Sequence, residues 1–287
     1  MGVVIVGLRS KETWRLMLVF VLGFVLAGCI GTNRRELAHK VARGGMLYSE
    51  VIRTDFFNMF SYSRFARAQQ SLTIYIEGDG MAWINRHTLS KDPTPRNPLA
   101  LKLAALDPAP NVAYLGRPCQ YVKKQQRKNC QVEYWSTRRF AEEVVSSTNQ
   151  AIDQLKKQAQ ANSIQLVGYS GGGAVAVLVA ARRTDVTSIR TIAGNLDHVT
   201  FTKHHRVTPL SGSLNPMDVA EKVKKIPQIH FVGGRDKIVP PFIVGGFVLA
   251  QGKGACARSH NLAGMKHGGE WEEIWPNLLQ RNLPGCQ

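Results

Sequence analysis

The chain is poor in acidic residues, in cysteine and in long apolar runs. It has 20 Asp and Glu against 37 Lys and Arg, a formal net charge of +17 over 287 residues. That imbalance favours anionic partners such as phospholipid headgroups, lipopolysaccharide or acidic substrates. The lysines and arginines are scattered, with no basic patch interleaved with aromatics, so a nucleic-acid partner is excluded. The one dense run, Lys123-Lys124-Gln125-Gln126-Arg127-Lys128, reads as a solvated loop. The apolar run Leu16 to Val25 is too short to span a bilayer comfortably. Also missing are His-Glu-x-x-His, zinc-type cysteine pairs, Gly-x-x-x-x-Gly-Lys-Ser/Thr, Gly-x-Gly-x-x-Gly after a strand, and a penicillin-type Ser-x-x-Lys. These absences exclude zinc proteases, P-loop enzymes and dinucleotide binders.

What is present centres on Ile164-Gln165-Leu166-Val167-Gly168-Tyr169-Ser170-Gly171-Gly172-Gly173, followed by the small apolar segment 174–181. An apolar strand ending in Gly-x-Ser-x-Gly and running into a buried helix is the pattern of a nucleophile elbow. The glycines are needed because strand and helix nearly collide at so sharp a turn. The turn presents Ser170 Oγ to solvent, with the Gly171 N–H at a helix N-terminus that favours negative charge.

The first residues read as a leader. Arg9, Lys11 and Arg15 precede the apolar run, and Leu26-Ala27-Gly28-Cys29 follows it. That tetrad resembles a bacterial lipobox. The resemblance implies a signal peptide over 1–28, cleavage before Cys29, and a Cys29 carrying a diacylglyceryl thioether and an acylated amino group, with chains such as palmitate. Several chains give stable anchoring. Ile30 in place of aspartate after the cysteine points to the outer membrane, facing the periplasm. Removal of 1–28 takes away three basic residues and Glu12, leaving a net +15. Four cysteines then remain, an even number that suits disulfides in an exported protein. Of the three possible pairings, Cys119–Cys130 with Cys256–Cys286 is the most local.

Residues 29–45 are expected to form a polar, basic tether leading into a short helix, and 46–287 one domain. Strands are expected as an antiparallel pair over 48–64, then at 72–76, 111–115, 164–169, 186–192, 228–232 and 261–264. Helices are expected near 99–105, over 136–161, after Ser170, near 219–223, over 238–249 and over 270–279. Their alternation means an α/β fold, with a mostly parallel sheet covered by helices on both faces.

From about Leu72 to Leu279 the chain resembles the α/β-hydrolase superfamily, in which serine, acid and histidine follow in that order. Within it, the chain looks most like small bacterial esterase/lipase-like lipoproteins. The resemblance implies Ser170 as nucleophile, His267 in Met265-Lys266-His267-Gly268-Gly269 as base, and Asp236 in Gly233-Gly234-Arg235-Asp236 as acid. Asp197, which also follows a strand, is the alternative acid. The oxyanion hole needs two N–H donors. Gly171 supplies one, and the loop Gly78-Asp79-Gly80 after the strand at 72–76 supplies the other, through Asp79, Gly80 or Met81. Glu77 stands where the superfamily usually has histidine, and Asp79 could instead shape the loop as an Asx turn. Met81, Trp83, Phe242 and Phe247 are candidates to line an acyl pocket.

The expectation is a lipid-anchored serine hydrolase of the bacterial envelope, acting on small-molecule or lipid carboxylic esters and needing no metal or organic cofactor. Amide or thioester hydrolysis uses the same triad, and a non-catalytic lipoprotein scaffold would share the fold.

Overall fold

The computed structural model describes Gly2 and residues 33–85 and 87–286. The leader, Cys29 and the start of the tether lie outside the described residues. Two units separate, Met1–Asn33 and Arg34–Gln287, and the second carries the fold.

In chain order this unit contains α1 (Arg34–Gly44), β1 (Tyr48–Arg53), β2 (Asn58–Phe65), β3 (Leu72–Ile76), β4 (Trp83–Asn85), β5 (Thr88–Leu89) and α2 (Leu99–Ala105). Then come β6 (Asn111–Leu115), α3 (Glu142–Gln158), β7 (Ile164–Tyr169), α4 (Gly171–Ala180), β8 (Val186–Ile192) and α5 (His198–His205). The last elements are α6 (Ala220–Val223), β9 (Gln228–Gly233), α7 (Pro241–Ala250), β10 (Ala257–Leu262) and α8 (Trp271–Leu279). Eight strands form one sheet in the order β1-β2-β6-β3-β7-β8-β9-β10. β2 runs antiparallel to both β1 and β6, and every other pair is parallel. The small hairpin β4–β5 stands apart from it.

β3 and β6 are buried at every position, as expected of strands covered on both faces. On one face Ile74, Leu166 and Ile189 pack with Val144, Ile152 and Leu155 of α3 and with α4. On the other, Tyr75, Val167 and Phe231 pack with Leu101 of α2 and with Trp271 and Trp275 of α8. Trp275 Nε1 donates to Tyr75 Oη at 3.1 Å, and Tyr75 Oη donates to Asp107 Oδ2 at 2.7 Å, so this aromatic layer is closed by polar contacts as well.

Three local expectations change. The helix foreseen over 136–161 begins at Glu142, because Val132–Trp135 is a 3-10 turn and the chain stays irregular up to Ala141. Glu142 and Glu143 then fill the first turn, where carboxylates favour a helix N-terminus. The last strand lies at Ala257–Leu262, earlier than foreseen. It is a largely exposed edge strand, so it lacks the apolar signal of the central strands. Helix α5, over a stretch where no helix is expected, carries His204 and His205 and is started by Asp197, whose carboxylate accepts from the N–H groups of Val199 and Thr200. The short helix expected at the end of the tether is α1, which begins at Arg34, buries Ala38 and Ala42 and packs on α2. Both local cysteine pairs are disulfides, Cys119–Cys130 and Cys256–Cys286.

Candidate active site

β7 ends at Tyr169, and Ser170 takes the strained angles φ 51° and ψ −120° before α4 begins. The surrounding glycines are obligatory. A Cβ on Gly168 would lie 2.4 Å from the Gly172 carbonyl oxygen, and one on Gly172 would lie 2.2 Å from that of Ile76. Strain of this kind persists only where the structure around it enforces it.

Ser170 Oγ lies 3.0 Å from His267 Nε2, and His267 Nδ1 lies 2.7 Å from Asp236 Oδ2. Asp236 is 4 % exposed. Its Oδ1 accepts from the Ile238 and Val239 N–H groups, both at 2.8 Å, leaving Oδ2 for the imidazole. A carboxylate at Nδ1 requires the proton there, so Nε2 faces the serine as an acceptor. The histidine backbone is held too: Trp271 Nε1 donates to the His267 carbonyl at 3.0 Å. Three side chains, from the turns after β7 and β9 and from the loop before α8, therefore meet at one sheet edge. Asp197 is not among them; its carboxylate caps α5 and accepts Asn215 Nδ2 at 3.0 Å.

The loop after β3 is fixed from several sides. Glu77, 1 % exposed, accepts from Gly78 N at 2.9 Å and from Tyr114 Oη at 3.2 Å. It also receives the Ala100 and Leu101 N–H groups at the start of α2. Burial raises its carboxyl to about 7, against the opposing pull of those hydrogen bonds. A glutamate thus ties the loop to sheet and helix at the position where histidine was the superfamily expectation.

Asp79 does not form an Asx turn. Its carboxylate pairs with Arg139 Nη1 at 2.8 Å and Arg117 Nη1 at 3.2 Å. Burial alone would raise this carboxyl, but the two guanidiniums outweigh it and hold it below the usual range. The Asp79 carboxylate lies against Gly171, where a Cβ would come within 2.1 Å of Oδ1. Gln120 Nε2 donates to the Gly78 carbonyl at 3.0 Å, and Gly80 has φ +67° with no room for a Cβ beside Pro93. The Met81 N–H donates to Pro93 at 3.0 Å, which removes it as an oxyanion donor. Among the described residues the Asp79, Gly80 and Gly171 N–H groups have no acceptor.

A cavity of about 450 Å³ opens over Ser170 and His267. Met81 and Trp83 line it, as expected, together with Phe201, Ile238 and Val239. Phe242 and Phe247 do not. Phe242 is exposed beside His204, and Phe247 is buried in the core against His230, because α7 is apolar all round and only the face with Ile243, Val244 and Phe247 packs inward. Sequence reasoning missed Arg117, Arg139, Gln120 and Asn195. The side chains of the first three reach partners far away in the chain, and no local motif marks any of the four.

Residues 113–204, from β6 to α5, match the family description of class 3 lipases. No curated protein matches. Among solved structures, an esterase from Pyrococcus furiosus superposes with a TM-score of 0.58 at 13 % identity, covering 82 % of this chain and 90 % of the other. Est1E from Butyrivibrio proteoclasticus gives 0.55 at 14 %, covering 81 % and 98 %. A membrane phospholipase A described as a bacterial virulence factor gives 0.57 at 14 %, covering 95 % and 97 %. The chain has the α/β-hydrolase fold and, with its match to class 3 lipases, is an esterase- or lipase-like hydrolase.

Proposed function

We propose that the protein hydrolyses carboxylic esters through an acyl-enzyme on Ser170, with His267 as base and Asp236 as the acid that orients it. The observation that carries this reading is the unbroken chain Ser170 Oγ, His267 Nε2, His267 Nδ1, Asp236 Oδ2, with contacts of 3.0 and 2.7 Å. Ser170 attacks the ester carbonyl as His267 takes the hydroxyl proton. The tetrahedral oxyanion is met by the Gly171 N–H and by the Asp79 or Gly80 N–H, held by the Arg117–Asp79–Arg139 clamp. His267 then gives its proton to the departing alcohol, and water releases the acid by the reverse steps.

The leader-like sequence at 1–28 and Cys29 support a lipid-anchored enzyme of the bacterial envelope, on the outer membrane facing the periplasm. The net positive charge supports contact with anionic lipid, and lipid esters are the substrates such a location offers. Likeness to a membrane phospholipase A is consistent with this at the level of fold. A fluorophosphonate probe tests the chemistry: wild type should label and Ser170→Ala should not. A folded wild type that resists labelling would refute the reading.

A further inference from the structure

Asn195 sits in the wall of the cavity over Ser170 and has a function in neither the triad nor the oxyanion loop. It is 3 % exposed, yet its Oδ1 is buried with no hydrogen-bond partner. Among the described residues its amide nitrogen makes no hydrogen bond either. A buried amide oxygen without a partner is rare in folded proteins and costs stability there.

Its position is tightly set. The Asn195 N–H donates to the Ser170 carbonyl at 3.0 Å, so the residue is a main-chain neighbour of the nucleophile. Ala193, two residues earlier, is held at φ 49° and its N–H donates to the Phe231 carbonyl at 2.9 Å. The Gly194 Cα lies 3.0 Å from where a Gly173 Cβ would stand, so the turn is packed directly on the start of α4. Two residues on, Asp197 caps α5. Backbone strain and close packing thus fix an unpaired amide beside the reacting serine.

We propose that Asn195 is a substrate-binding residue and that its partner is a hydroxyl carried by the ester close to the scissile carbonyl. This rests on the serine-hydrolase reading above. A carboxamide offers one acceptor and two donor hydrogens, and a hydroxyl both donates and accepts, so it satisfies either orientation of the amide. The substrate class is then the hydroxylated ester, either a partial ester of a polyol or an ester of a hydroxy acid. A site with a buried polar group discriminates strongly against an analogue that leaves the group unpaired.

The test compares matched pairs on the purified protein: glycerol monobutyrate against propyl butyrate, and methyl β-hydroxybutyrate against methyl butyrate. Wild type should favour the hydroxylated member of one pair by about tenfold or more in kcat/KM, and the pair that responds tells alcohol from acid. Asn195→Leu, similar in size but unable to hydrogen-bond, should bring that ratio close to one. Asn195→Asp, which keeps the acceptor, should retain part of it, and it serves alone if the leucine variant fails to fold. Wild type that labels with fluorophosphonate but shows no preference in either pair overturns the assignment, as does a preference that is undiminished in either variant. Wild type that neither labels nor turns over any ester removes the hydrolase reading and this one with it.

Discussion

Asp197 follows β8 much as Asp236 follows β9, and each uses Oδ1 to accept two backbone N–H groups from the residues just beyond. The difference lies in the other oxygen. Asp236 Oδ2 meets only His267, whereas Asp197 Oδ2 is taken by Thr200 Oγ1 and its Oδ1 also by Asn215. The turn after β9 thus leaves one lone pair facing the His267 imidazole, and the turn after β8 spends its carboxylate on starting a helix. Two aspartates in equivalent places can be told apart only by what their second oxygen meets.

The largest effect should come from breaking the first turn. Asp236→Asn preserves the contacts from Ile238 and Val239 through its carbonyl oxygen. It presents an N–H₂ to Nδ1 and so selects the wrong tautomer of His267. Turnover should fall by about 10⁴-fold in kcat with KM little changed. Steady-state kinetics on a butyrate ester checks this. A loss under tenfold would mean that the acid lies elsewhere, and that the two turns are not distinguished as their geometry indicates.

Glu77 sharpens the comparison, because it is a buried carboxyl with hydrogen bonds but no cation. Its raised value, about 7 against the ordinary 4.5, means that the folded chain keeps a proton that the unfolded chain releases between those values. Its stabilising contribution is full below about pH 4.5 and is lost as pH rises through 7, about 3 kcal/mol in all. Glu77→Gln should therefore lose less stability than wild type between pH 5 and pH 8, by an amount of that order. Denaturant melts at the two pH values measure it. An unchanged slope would mean that Glu77 is already ionised in the folded chain. Asp79, half-buried between Arg117 and Arg139, is held in the opposite direction by those two guanidiniums.

The legible part of this molecule was the part encoded locally. The elbow could be read because Gly168, Ser170 and Gly172 fall at alternate positions of one short stretch and the turn admits nothing larger than glycine at 168 and 172. The central strands were readable because burial on both faces leaves continuous apolar runs such as Leu72–Ile76 and Asn111–Leu115. β10 was misplaced because an edge strand carries little of that signal. The support of the loop after β3 was hidden for a different reason. Asp79 meets Arg117 and Arg139 at sequence separations of 38 and 60, and nothing near any of the three announces the others. Helix α5 was hidden by its polar, histidine-rich composition, and only its cap residue, Asp197, marked where it starts.

The smallest effect belongs to the second turn, and it completes the contrast. Asp197→Asn keeps an oxygen for the Val199 and Thr200 N–H groups, and asparagine caps helices about as well as aspartate. The new N–H₂ can donate to Thr200 Oγ1, which now accepts where it formerly gave. The variant should therefore melt within a few tenths of a kcal/mol of wild type. Asp197→Ala, which leaves those N–H groups without an acceptor, should lose about 1 kcal/mol. Neither should lower kcat more than severalfold, because no oxygen of Asp197 faces the imidazole. The same Asp-to-Asn change would then be silent after β8 and disabling after β9. A ten-thousandfold loss from Asp197→Asn, with Asp236→Asn active, would reverse the roles assigned to the two turns.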